Sequence, residues 1–155
     1  ADLKMVLITN ASVFHRPHVR RGLEILDANN GEIWAKLEAG TPEYFQLVDR
    51  TPIPFAQILD NITAAACVRP VVIQALFMRV HGQPPPPEEL AAFCDRLNEI
   101  RTAGGQIKLV QVYTIARRTT ENYVAPLADV EVDAIATMVE EKTGLQAKPF
   151  YGVQS

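Results

Sequence analysis

The chain has 155 residues, a hydrophobic fraction of 48%, a charged fraction of 21% and a formal net charge of −3. These values fit one globular domain, residues 1–155, with a full hydrophobic core, and they exclude a disordered or collagen-like chain. The negative balance means that the chain as a whole lacks the basic surface typical of nucleic-acid-binding proteins.

No membrane or export signal is visible. No run reaches about 18 consecutive apolar residues, the length that a transmembrane helix needs. The opening "ADLKMVLITN" lacks the charged and apolar regions of a signal peptide. With Cys67 and Cys94 as the two cysteines, a disulfide framework is not expected. We therefore expect a cytoplasmic protein that does not contact membranes.

The first forty residues read as strand, helix, strand. The dense apolar run "LKMVLITN" (3–10) predicts a parallel strand that is covered on both faces. A helix is predicted to begin near Pro17 and to end at Asn30-Gly31. The second strand is "EIWAKLEAG" (32–40), in which Lys36 interrupts an otherwise apolar pattern.

Two helices and a third strand follow. Thr41 is the predicted N-cap of a short helix that starts at Pro42. A longer helix has an apolar stripe beginning at Phe55 and ends near Arg69-Pro70. The run "VVIQALFMRV" (71–80) predicts the third strand.

The last third of the chain repeats this alternation. A helix opens at Glu88 and stops at Gly104-Gly105, and "IKLVQVYTIAR" (107–117) predicts the fourth strand. Asp129 is predicted to cap a helix that Gly144 ends.

The fifth predicted strand is the short segment "QAKPFYG". The order β-α-β-α-β-α-β-α-β predicts an α/β fold, with a parallel sheet of about five strands and right-handed crossovers. A flavodoxin-like arrangement of five strands also fits the length.

Polar residues recur near the carboxyl ends of the predicted strands, where α/β proteins bind their ligands. A single mid-strand glutamine is commonly a structural amide, but four successive strands with polar groups at one end predict a polar cavity. Trp34, Lys36 and Glu38 share one side by the two-residue period. The candidate cavity residues are Thr9, Asn10, Lys36, Glu38, Gln74, Arg79, Gln111, Tyr113 and Arg117.

Other motifs in the sequence give weaker evidence for function. His15 and His18 have no third ligand nearby, so no metal site is predicted. Neither a G-x-G-x-x-G nor a Walker A loop is present. The arginine clusters at 16–21 and 117–118 are solvated charges or anion contacts.

The segments "LITNAS", "IWAKLEAG", "VVIQALFM", "VQVYTIARR" and "VAPL", in this order, resemble the later part of radical S-adenosylmethionine (radical SAM) enzymes. The most similar group includes the wyosine-type tRNA-modifying enzymes. The resemblance covers residues 7 to about 151 and implies the carboxy-terminal part of a partial TIM-like (β/α) barrel.

The resemblance also implies roles for the strand-end residues. Thr9, Asn10, Lys36, Glu38 and Gln74 would contact S-adenosylmethionine. A second set would line the substrate cavity, and it comprises Arg79, Gln111, Tyr113 and Arg117. Glu38 stands where the family more often has aspartate.

The chain departs from the family in its cysteines. Radical SAM enzymes hold a [4Fe–4S] cluster with a C-x-x-x-C-x-x-C loop, which is absent here. Cys67 and Cys94 are predicted to be buried residues on helices. The intact enzyme would need S-adenosylmethionine and the cluster, and this chain alone would be inactive.

A half-barrel has an incompletely covered inner face, so we expect self-association or a companion segment on the amino-terminal side. The substrate, a small molecule or an RNA, stays unassigned. The alternative function is a stand-alone α/β module for ligand binding or assembly, without radical chemistry.

Overall fold

The structure is a computed structural model that describes residues 6–9, 21, 32–49, 52–115 and 124–151. Apart from Arg21, the helix predicted after Pro17 lies outside these residues, as do the arginines at 117–118. The strands are β1 (Val6–Thr9), β2 (Glu32–Lys36), β3 (Val71–Leu76), β4 (Arg79–Val80), β5 (Ile107–Tyr113), β6 (Val124–Ala125) and β7 (Ala147–Phe150). The helices are α1 (Pro42–Asp49), α2 (Phe55–Val68), α3 (Pro87–Thr102) and α4 (Asp129–Thr143).

The main sheet contains five parallel strands in the order β1-β2-β3-β5-β7, which is also their order along the chain. Strands that follow one another in this way, joined by right-handed crossovers, place their connecting helices on one face. A flavodoxin-like sheet differs because its strand order reverses and its helices cover both faces. The fold is therefore α/β, a segment of a TIM-like barrel, and within the described residues the sheet stays open.

The hydrophobic core lies on the helix-covered face of this sheet. Ile33, Ile73 and Val112 belong to one buried cluster with apolar residues of α2, α3 and α4. Because side chains alternate across a strand, the residues between them point to the opposite face. Val72, although only 1% exposed, is outside that cluster and lies on this opposite face. We call it the inner face.

The start of α1 follows the predicted capping rule, whereas the start of α4 departs from it. The Tyr44 N–H donates to Thr41 Oγ1 at 3.2 Å, which confirms Thr41 as the cap of α1. The prediction that Asp129 caps the last helix is wrong, because Asp129 is its first residue and Ala128 occupies the cap position. Instead, Glu131 Oε1 accepts the Ala128 N–H at 2.9 Å.

Three strands end earlier than predicted, and the first of them, β2, stops at Lys36 and not at Gly40. β3 stops at Leu76, and Arg79 belongs to the short β4, which pairs with β6 in an antiparallel arrangement. β5 stops at Tyr113. The Phe77 N–H still donates to Tyr113 O at 2.8 Å, so the two segments stay hydrogen-bonded one residue beyond the end of β3.

The two cysteines differ in exposure. Cys94 is buried at 1% exposure, as predicted, but Cys67 is exposed, so that prediction is wrong. Cys67 lies in the last turn of α2, where its Sγ is 3.6 Å from Ala103 O. None of the helices in the described ranges is long and apolar enough to cross a lipid bilayer.

Candidate functional site

A row of four polar residues crosses the inner face near the carboxyl ends of the strands. Lys36 on β2 pairs with Gln74 on β3, Gln74 pairs with Gln111 on β5, and Gln111 pairs with Lys148 on β7. In-register residues of parallel strands point to the same side of the sheet. The row therefore places an amide pair at the centre of the inner face and a lysine at each end.

The two glutamines are bound to each other. Gln74 Nε2 donates to Gln111 Oε1 at 3.1 Å, and the side chains are only 7% and 8% exposed. Each amide has both a carbonyl oxygen and an amino group, so this bond leaves Gln74 Oε1 as an acceptor and Gln111 Nε2 as a donor. The central pair can therefore bind a ligand without breaking its own hydrogen bond.

The lysines at the ends of the row are exposed, and within the described ranges neither forms an ion pair. Lys108 on the same sheet differs, because its Nζ lies 2.9 Å from Glu32 Oε2. Lys36 and Lys148 are thus positive charges on the inner face that an anionic ligand could neutralise.

A second pair of ionisable groups lies one row further toward the carboxyl ends. Burial, together with the negative charge of Glu38, raises the pKa of Tyr113 to about 12. The Tyr113 ring packs edge-on against Phe150, with 5.8 Å between the ring centroids. At neutral pH, Tyr113 is therefore a protonated hydroxyl beside the carboxylate of Glu38.

The amino-terminal end of the inner face is apolar. Trp34, Val72 and Leu109 form the row below the glutamines. The indole Nε1 of Trp34 donates to Glu32 Oε1 at 2.5 Å, so its polar atom is satisfied at the edge of this apolar floor. Polar and apolar rows are thus separated along the strands.

The turn after β2 is held by a buried carboxylate on α3. Glu89, which is 5% exposed, accepts the Gly40 N–H at 2.9 Å and the Thr41 hydroxyl at 2.6 Å. Gly40 lies so close to α3 that a Cβ there would be 2.1 Å from Phe93 N. These contacts fix the segment that carries Lys36 and Glu38.

An ion pair and a hydrogen bond hold the segments that follow β3 and β5. Arg79 Nη2 donates to Glu131 Oε1 at 2.6 Å, which links β4 to the first turn of α4. The Leu127 N–H donates to Thr114 Oγ1 at 2.8 Å and closes the base of the loop between β5 and α4. Arg79 is therefore engaged with a helix start and is not part of the row.

Five of the predicted cavity residues share the inner face: Lys36, Glu38, Gln74, Gln111 and Tyr113. The Thr9 side chain, Asn10 and Arg117 lie outside the described residues. Sequence reasoning missed Lys148 and Glu89. Lys148 could have been found from its alternation with Phe150 on the last strand, whereas the acidic start of α3 gave no sign that Glu89 reaches back to Gly40.

Neither cysteine forms part of a metal-binding group in the described ranges, where no cluster of three or more histidine, cysteine or acidic side chains is placed to hold an ion. Cys67 and Cys94 lie on the helix layer, on α2 and α3. They do not fit the thiolate set that an iron–sulfur cluster needs.

These features define a class of structure, an open segment of a parallel α/β barrel with a polar inner face at the carboxyl ends of its strands. A radical SAM methyltransferase from Sphaerobacter thermophilus has a similar fold, with a TM-score of 0.58 and 12% identity over 78% of this chain. The match spans 34% of that protein's length. No family profile and no curated protein sequence matches the chain.

Proposed function

We propose that this chain is the carboxy-terminal part of a radical SAM enzyme and lines its S-adenosylmethionine and substrate cavity. The observation that carries the proposal is the alignment of Lys36, Gln74 and Gln111 in one row. The polar pattern at the strand ends predicted these residues and the sequence resemblance gave them roles, and they lie on the face opposite to the described helices of the core cluster. The fold likeness to a radical SAM methyltransferase supports the same assignment.

The inner face fits the groups of S-adenosylmethionine. Its carboxylate suits the Lys36 ammonium, its ammonium suits the Glu38 carboxylate, and its hydroxyls suit the free donor and acceptor of the glutamine pair. Thr9 and Asn10 belong to the same proposed contact set through the sequence resemblance. When bound beside a reduced iron–sulfur cluster, S-adenosylmethionine supplies one-electron chemistry that no side chain provides.

Arg79, Gln111, Tyr113 and Arg117 are the proposed substrate-side residues. A relation to the wyosine-type group would make RNA a candidate substrate, although the net charge of −3 adds no independent support. A companion segment would supply the cluster, because the two cysteines of this chain do not fit one.

The test compares the full gene product with the 155-residue chain after anaerobic reconstitution with iron and sulfide. The full product should bind a stoichiometric cluster and cleave S-adenosylmethionine, as measured by iron content and product chromatography. The chain alone should do neither. A stoichiometric cluster on the chain alone, or no cluster on the full product, would refute the proposal.

A second candidate is a stand-alone module for ligand binding or assembly. It is favoured by the row from Lys36 to Lys148, which this chain completes without a partner. Ligand binding to this row by a full product that holds no cluster would identify the module.

A further inference from the structure

The polar row is asymmetric, and its two ends offer different chemistry. We propose that Lys148, Gln111 and Tyr113 form a subsite for an anionic oxygen group of the ligand, a phosphate or a carboxylate. The subsite deepens the proposed function, on which it rests for the identity of the cavity. It lies at the end of the row opposite to Lys36.

Register and alternation place the three side chains together. Lys148 pairs directly with Gln111, and Tyr113 follows Gln111 by two residues on the same strand. All three therefore point to the inner face, on neighbouring strands spaced by about 4.8 Å. The ring of Phe150 packs against Tyr113 and borders this group on the carboxyl side.

Hydrogen-bond direction distinguishes the two ends of the row. Because Gln74 Nε2 donates to Gln111 Oε1, the free group of Gln111 is its amino group, whereas the free group of Gln74 is its carbonyl oxygen. The Lys148 end thus combines an ammonium, an amide N–H and a protonated phenol, which are three donors. The Lys36 end combines an ammonium with an acceptor, and the carboxylate of Glu38 lies near enough to act on Tyr113 as well. Three donors on the side of Lys148, against this one carboxylate, favour an anion.

No carboxylate of the described ranges neutralises Lys148. Glu140, which contacts the same strand, has its Oε2 3.3 Å from the Ala147 N–H. Glu140 belongs to α4, whose buried residues join the core cluster, so its carboxylate approaches from the helix-covered side, opposite to the Lys148 side chain. The charge of Lys148 remains available to a ligand.

The test measures amine labelling of individual lysines in the full gene product, followed by peptide mass spectrometry. Labelling rates are compared in inorganic phosphate, in acetate and in chloride at equal ionic strength. Lys142, an exposed lysine in the last turn of α4, is the control. Phosphate or acetate should slow the labelling of Lys148 and leave that of Lys142 unchanged, and the more effective anion identifies the ligand group.

Two variants test whether the slower labelling of Lys148 depends on the other residues of the subsite. Gln111→Glu keeps an acceptor for Gln74 but places a negative charge beside Lys148, and Tyr113→Phe removes one donor with little change in shape. Each should raise the anion concentration for half-protection, by about tenfold for Gln111→Glu, since a charge-assisted bond is lost. Equal slowing at Lys142, no slowing at Lys148, or no effect of either variant would overturn the proposal. Labelling needs no cluster, so this result is independent of the test of radical SAM function.

Discussion

At the scale of single residues, the glutamine pair is the most constrained feature of the inner face. The Gln74–Gln111 bond of 3.1 Å joins two side chains that are less than a tenth exposed. Replacing one partner leaves the other amide buried without its bond, whereas replacing both removes the need for it. The pair therefore has a structural role in addition to its proposed contact with a ligand.

We expect Gln111→Leu to lower the free energy of unfolding by about 1–3 kcal/mol, because Gln74 Nε2 loses its acceptor. The double variant Gln74→Leu/Gln111→Leu should be less destabilised than the sum of the single variants. Urea denaturation of the four proteins measures this coupling. Strictly additive effects would show that the two amides act separately.

The phenol of Tyr113 predicts a specific alkaline behaviour. Its pKa of about 12 lies above the ordinary value of 10.0, so the folded protein keeps a proton that the unfolded chain releases. The resulting stability is present below pH 10.0 and is lost as the pH rises toward about 12. Tyr113→Phe should reduce the fall in stability over this interval.

The charge of Glu38 contributes to the same shift. Ultraviolet difference titration of wild type against Tyr113→Phe isolates this phenol, and Glu38→Gln should lower its pKa. An unchanged pKa in Glu38→Gln would mean that Glu38 does not act on Tyr113 across the inner face.

At the scale of elements, the turn between β2 and α1 is held by α3. Glu89 is far from Gly40 in sequence, yet its carboxylate accepts the buried Gly40 N–H at 2.9 Å. This long-range contact orients the strand end that presents Lys36 and Glu38. Its loss should therefore affect both stability and the geometry of the inner face.

Glu89→Ala should destabilise the protein by about 2–3 kcal/mol, because the Gly40 amide and the Thr41 hydroxyl lose a charged acceptor. Glu88→Ala is the matched control, since Glu88 is an exposed neighbour in the same first turn of α3. The control should cost at most about 1 kcal/mol, the value of a first-turn acidic residue. Similar losses in both variants would assign the effect of Glu89 to the helix dipole.

The helices and strands differ in how far the sequence predicts them. Apolar periodicity and caps located α1, α2 and α3, with Thr41 bound to the first turn as expected. Strand ends were less predictable. The end of β3 depends on its pairing with neighbouring strands, which the local pattern of apolar residues does not contain. Asp129 has a residue type that is common at caps, but the side chain of Glu131, within the first turn, accepts the Ala128 N–H.

At the scale of the whole molecule, the order of strand and helix patterns was sufficient to predict a parallel α/β sheet. The pattern left a flavodoxin-like order open, because the side-by-side arrangement of strands depends on tertiary contacts. The same limit applies to the site: alternation placed Lys36 and Glu38 on one side, but only the register between β5 and β7 brings Lys148 to Gln111.

The open sheet predicts the behaviour of the isolated chain. Its inner face combines the half-buried side chains of Trp34 and Leu109 with the exposed Lys36 and Lys148, and the described helices of the core cluster pack on the other face. We expect the isolated chain to self-associate or to bind an apolar dye. Light scattering and dye fluorescence measure this, and a stable monomer without dye binding would contradict a missing companion.

The most direct measurement is the size of the native gene product, by immunoblot of its own cells with antibodies against this chain. A companion segment that carries the cluster requires a band well above 17.2 kDa, the mass of these 155 residues. Sequencing of that product should then reveal the three-cysteine loop. A band at 17.2 kDa would contradict the account and identify the half-barrel as a binding or assembly module.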